Sequence, residues 1–129
     1  MNTIIKEANR YISNAKDLLE EKAIRENGEY LDKKYIKMAG HTAYTGVLYA
    51  LDQLIEPNIE TRKRSKRKSV DYYRLFLSGY DKKMLSNFNN LYNILHLDLG
   101  YDGITDAVII KRGMSMAKEF VSAVATRLN

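Results

Sequence analysis

Apolar positions recur at three- and four-residue spacing along most of this chain, the period of an amphipathic helix. Ile4, Ala8, Tyr11, Ala15 and Leu18 form one such stripe, widened by Ile5, Ile12 and Leu19. Asn2 or Thr3 can cap it, Glu7 suits the positive end of the helix dipole, and Asn27-Gly28 is a stop. The spacing predicts a first helix over about 3–25. The next segment, about 29–55, starts polar and turns apolar. Tyr35, Ala39, Thr42, Gly46 and Tyr49 make its stripe, and Met38, Ala43, Val47, Ala50, Leu51 and Leu54 fill the rows beside it. So wide an arc predicts the most buried helix of the protein. Its small residues (Ala39, Gly40, Ala43, Gly46, Ala50) permit close approach of another helix. Pro57 ends it, because the residue before a proline is pushed out of the helical region.

Residues 58–69 carry no apolar period and predict an exposed loop. Val70, Tyr73, Phe76 and Leu77 then predict a short helix ended by Gly79. Asp81 caps a helix over about 81–97 whose face is Leu85, Phe88, Leu91, Tyr92 and Leu95. Gly100 and Gly103 mark a turn. A last helix, about 105–127, has Thr105 as its cap and a stripe of Ala107, Ile110, Met114, Ala117, Val121, Val124 and Leu128. No internal repeat and no strand alternation interrupts these patterns. They predict an all-α fold, an antiparallel four-helix bundle with one additional short helix, in a single domain spanning 1–129.

Composition narrows the chemistry. Cysteine is absent, which excludes disulfides, thiolate metal sites and cysteine nucleophiles. The N-terminus lacks the apolar run of a signal peptide, and no stretch reaches the roughly 20 apolar residues of a membrane span. The expectation is a cytoplasmic protein with no membrane association. The formal charge is +5, and its location matters more than its size. Positions 62–74 hold seven basic residues against Asp71, while the remaining 14 basic residues are outweighed by 15 acidic ones. Within that segment Arg62, Lys63, Arg64, Lys66, Arg67 and Lys68 form a candidate polyanion-binding tract, able to neutralise several phosphates. Tyr72, Tyr73 and Arg74 follow closely enough to stack on unpaired bases. A solvated loop kept extended by like charges is the plainer reading of the same residues.

Only two histidines are present. His41, among the small residues of the second helix, has no acidic residue three or four positions away and is expected to be a hydrogen-bonded core or interface histidine. His96 is followed by Asp98, Tyr101 and Asp102, and His96 with Tyr101 is the candidate catalytic pair. The carboxylates Asp98, Asp102 and Asp106 are explained by turn formation and by the start of the last helix. Glu20 and Glu21 lie on a charged face. The paired Glu-x-x-His motifs of di-iron bundles, the phosphate-binding loops and the zinc spacings are missing. No metal and no cofactor is expected.

The pattern of RYISNAKDLLEEK, YIKMAGHTAYTGVLYALDQLI and NNLYNILHLDLGYDGITDAVIIKRGMSMAKEFVSAVATRL resembles the HEPN-type helical domains of prokaryotic RNA- and nucleotide-related systems. The resemblance implies a homodimer packed through the helices near the Gly100 turn. Ribonucleases of that family carry an Arg followed after four to six residues by His. Here His96 is followed after four residues by Tyr101, so the Arg and the His of the motif are both replaced. Arg112 lies further along, with no His after it.

These observations lead to a non-catalytic binding or regulatory protein, homodimeric, with a protein partner or a nucleic acid at 62–68 as candidate contacts. The alternative is a degenerate HEPN-type ribonuclease or a nucleotide-binding protein.

Overall fold

The protein is described by a computed structural model covering residues 3–58 and 69–128. Its class is all-α. Helix α1 (Thr3–Asp17) widens into a π-helical stretch, π1 (Leu18–Ala23), and a two-strand hairpin follows, β1 (Arg25–Glu26) and β2 (Glu29–Tyr30). Helix α2 (Lys33–Ile55) closes in a 3₁₀ turn at Glu56–Asn58. Then come α3 (Val70–Tyr80), α4 (Lys82–Tyr92), a second π-helical stretch, π2 (Asn93–Tyr101), and α5 (Ala107–Arg127).

Four carboxylate or hydroxyl caps start four of these helices. Asp32 accepts from the Lys34 amide of α2, and Ser69 accepts from Tyr72 of α3. Asp81 accepts from Lys83 and Met84 of α4. Asp106, not the expected Thr105, accepts from Val108 and Ile109 of α5. Thr105 is diverted because its hydroxyl donates to Glu29 at 2.6 Å.

Helix α2 runs through the centre, packed on α1, π1, π2 and α5, with α4 and α5 also in contact and α3 lying on α4. As the width of its arc predicts, it buries more side chains than any other described helix. The buried row of α1 is Ile5, Ala8, Ile12, Ala15 on the helix and Leu19 beyond it, so Tyr11 and Leu18 flank the core rather than centre it. On α5 the predicted stripe is buried from Ala107 to Val124, joined by Gly113 and Phe120.

Three expectations are corrected. Asn27-Gly28 is not the helix stop, since π1 already ends at Ala23 with Ile24 as its cap; both residues have positive φ, 52° and 81°, the signature of the tight two-residue turn that joins β1 to β2. This hairpin is fastened to the start of α5 by Tyr30 N–H to the Thr105 carbonyl and Ala107 N–H to the Gly28 carbonyl. Gly79 does not end α3, which runs on to Tyr80. Gly100 does not mark a turn either, because the helix begun at Lys82 continues through it as π2. Gly103, at φ 61°, makes the real exit. Leu91, Leu95 and Leu99 are buried at four-residue spacing along this continuous helix, which packs on α2. Within π2 its amides bond carbonyls five residues back instead of four, the mark of a π-helical turn. The Asp102 amide, bonded to the Leu97 carbonyl at 2.9 Å, is one such bond.

Candidate functional site

A band of rings crosses the junction of α2, α4 and π2. His96, half-buried on π2, stacks on Tyr92 one turn earlier, with ring centroids 5.0 Å apart. Tyr101, five residues later, meets the same imidazole edge-on at 5.3 Å. The π-type turn is what brings residues i and i+5 onto one face here. From α2, the buried Tyr44 reaches His96 at 5.1 Å, and His41 reaches it at 5.5 Å. His41 is exposed, which corrects the core half of its expectation and leaves the interface half untouched. Its imidazole lies against Gly100, where a Cβ would come within 2.8 Å of its ring carbon. A side chain at position 100 would push this exposed imidazole aside.

The electrostatics favour neutral rings. Burial, then the neighbouring His41, hold His96 below the ordinary imidazole range. Its Nδ1 is buried and has no hydrogen-bond partner, so a proton there would lack an acceptor. Burial pushes the Tyr44 hydroxyl above the usual phenol range, and Tyr92 adds to the effect. Among the described residues, no carboxylate pairs with either imidazole.

One cation reaches the band through the fold. The guanidinium of Arg74, on α3, stands over the Tyr92 ring at 4.9 Å. Its Nε donates to Asn89 Oδ1 at 2.8 Å, and its Nη1 approaches Asp71 at 3.5 Å. In sequence Arg74 belongs to the basic segment, 22 residues before His96, and only the packing of α3 on α4 brings them into one row.

The other expected site residues fall as follows. Tyr101 is 65% exposed, Asp98 half-buried and Asp102 exposed, and Asp106 serves as a helix cap. No three histidine, aspartate or glutamate side chains converge into a metal-binding group among the described residues. Arg112 is exposed on α5. The polyanion tract, Arg62, Lys63, Arg64, Lys66, Arg67 and Lys68, lies outside the described residues.

Beside the ring band lies a surface that periodicity alone does not reveal. From Met38 to Leu51 helix α2 has no charged residue. Most of that stretch is buried, yet Met38, His41, Thr45 and Tyr49 form an exposed row along it, at spacings of three and four. Met38 and Tyr49 are 43% and 38% exposed. Tyr11 of α1 stacks on Tyr49 at 5.2 Å, and Tyr101 extends the row at its other end through His41, at 6.4 Å. The signal is present in the sequence as a run of uncharged positions longer than a one-sided helix needs.

Residues 3–126 match the profile of a family described as Domain of unknown function (DUF5618). A solved structure of a protein of unknown function from Dyadobacter fermentans is 44% identical and superposes with a TM-score of 0.86. The match covers 98% of this chain and 96% of that one. No curated protein matches. No described helix is long and apolar enough to cross a membrane.

Proposed function

The chain belongs to the DUF5618 family, and we propose that it is a non-catalytic binding or regulatory protein that pairs as a homodimer through the outer face of α2. The observation that carries this reading is the exposed, charge-free row Met38–His41–Thr45–Tyr49 with Tyr11 and Tyr101 at its edges. In a protein with 29% charged residues, a helix face without one is a surface kept for contact. A twofold axis apposes a patch to its own copy, so every charge in the patch would oppose or neighbour its like. A neutral aromatic row suits that symmetry.

The ring band supports the non-catalytic part. General acid–base work needs an oriented imidazole with a proton to exchange. His96 has its Nδ1 enclosed and no carboxylate partner among the described residues. Sedimentation equilibrium tests the pairing: the wild type is expected to be a dimer and Thr45→Glu a folded monomer. Wild-type protein that stays monomeric at high concentration overturns the proposal.

Arg74 favours a second reading, a degenerate HEPN-type ribonuclease or nucleotide-binding protein. It supplies a fold-borne cation over the Tyr92 ring on which His96 stacks, in a chain where the arginine of the HEPN motif is replaced. Retention of RNA that depends on Arg74 and Tyr101, with the α2 face unchanged, would favour this reading.

A further inference from the structure

Three unusual features meet where α1 ends. Its last turns widen into π1, closed by the Ile24 amide on the Leu19 carbonyl at 3.1 Å, an i→i+5 bond. Short π-helical turns are frequent at functional positions. Ile24 then takes φ 57° and ψ 123°, a region that a β-branched residue enters only under constraint. The third feature is what this detour builds. It turns the hairpin back across π1 and leaves a cavity of about 330 Å³ between π1, the hairpin and α5.

The cavity has two halves. Leu19, Ile110 and Met114, all buried core residues, give it an apolar floor. Lys16, Arg25 and Lys111 converge on its rim from α1, β1 and α5, with Glu20 the one acidic residue lining it. None of these four makes an ion pair with a described residue. Three like charges from separate elements face a single carboxylate, and an anion between them offsets the remaining excess.

We propose that this cavity binds a phosphate monoester with a planar body, of the size of a nucleoside monophosphate. Charge decides the headgroup. Three cations and Glu20 leave a net of two positive charges, which a phosphate monoester at about −1.5 to −2 balances. A monocarboxylate would leave half of the excess standing. Volume decides the body, since about 330 Å³ lies at the small end of ligand pockets and is too little for a dinucleotide. The apolar floor offers a planar group contact, while Tyr30 and Ser115 line the wall with hydroxyls. None of these lining residues belongs to the exposed row of α2, so the assignment stands or falls independently of that face.

Isothermal titration calorimetry with the four nucleoside 5′-monophosphates, the corresponding nucleosides and inorganic phosphate tests the assignment. At least one monophosphate is expected to bind at least tenfold more tightly than its nucleoside and than phosphate alone. Arg25→Ala and Lys111→Ala, both at exposed positions, are each expected to weaken that binding about tenfold or more. Ser115→Trp, which fills the cavity from an exposed position, is expected to abolish it. Far-UV circular dichroism checks that each variant is folded. The proposal is overturned if no monophosphate binds at millimolar concentration or if phosphate alone binds as well. Binding that survives both alanine substitutions, or disappears instead in Arg62→Ser/Arg64→Ser/Arg67→Ser, overturns it equally.

Discussion

Gly40 of α2 and Leu95 of π2 touch backbone to backbone: a Cβ on Gly40 would stand 2.6 Å from the Leu95 carbonyl oxygen. The Gly100 amide nitrogen would be 2.8 Å away. Neither neighbour can rotate aside, because both are main-chain atoms of a helix. Gly40→Ala is therefore expected to lower stability by about 1–3 kcal/mol from overpacking, although alanine is intrinsically the better helix former by about 1 kcal/mol. Gly79 is the control. It lies within α3, and the methyl group of an alanine there would meet nothing within 4 Å, so Gly79→Ala is expected to be neutral or stabilising. Urea denaturation of both variants checks the contrast.

The end of α5 is tied to the start of α4. Arg127 near the end of α5 bonds the carboxylate of Asp81, the N-cap of α4, at 2.5 Å. That bond, then the Met84 amide, hold the Asp81 carboxyl below its usual range. A lowered folded pKa stabilises the protein fully above the unfolded value, about 3.9, and the contribution is lost as pH falls through the folded value. Arg127→Leu is expected to be less stable than wild type at neutral pH, with the gap closing as the solution is acidified below about pH 4. A gap that persists unchanged under strong acid would assign the loss to packing on Tyr80, over whose ring Arg127 lies, rather than to the ion pair.

Burial and His41 favour the neutral form of His96, so its NMR titration midpoint is expected below the ordinary value of about 6.5. The unfolded chain takes up the proton first, so this residue's contribution to stability falls as pH drops through about 6.5. His41→Ala removes the neighbouring charge and is expected to move the His96 midpoint upward. A downward move or no change would show that His41 is not electrostatically coupled to it.

Catalysis and polyanion contact can be checked together. Phosphodiester cleavage without a cation placed on the developing charge typically loses a factor of about 100 to 1000 in rate. The purified protein is expected to show no significant ribonuclease activity. RNA turnover that survives further purification and vanishes in folded His96→Ala would contradict this. If the tract at 62–68 holds RNA, retention should fall steeply between low and physiological salt. Replacing Arg62, Arg64 and Arg67 with Ser should then weaken binding to all sequences alike. No retention at low salt would identify the tract as a solvated loop.

Much of this protein is determined by the order of its apolar residues. The stripe from Ala107 to Val124, the wide arc of α2 and the caps Asp81 and Ser69 act within a few residues of themselves. Burial of one face and satisfaction of the first amides are local demands, so the all-α class follows from them directly. Even the hairpin turn is written in Asn27-Gly28, a pair that takes positive φ readily and that reads in the sequence only as a helix stop. Other features need the tertiary structure. Whether Gly100 turns the chain or lets a helix run on depends on Gly40 and His41 lying beneath it, some 60 residues earlier. The meeting of Arg74 with Tyr92 depends on how α3 lies on α4. The same holds for Lys16, Arg25 and Lys111, ordinary surface cations in sequence that share one cavity only because π1 and Ile24 redirect the chain. Periodicity reports which side of a helix faces inward; it contains nothing about which helix will be there to meet it, because that contact is made by residues distant along the chain.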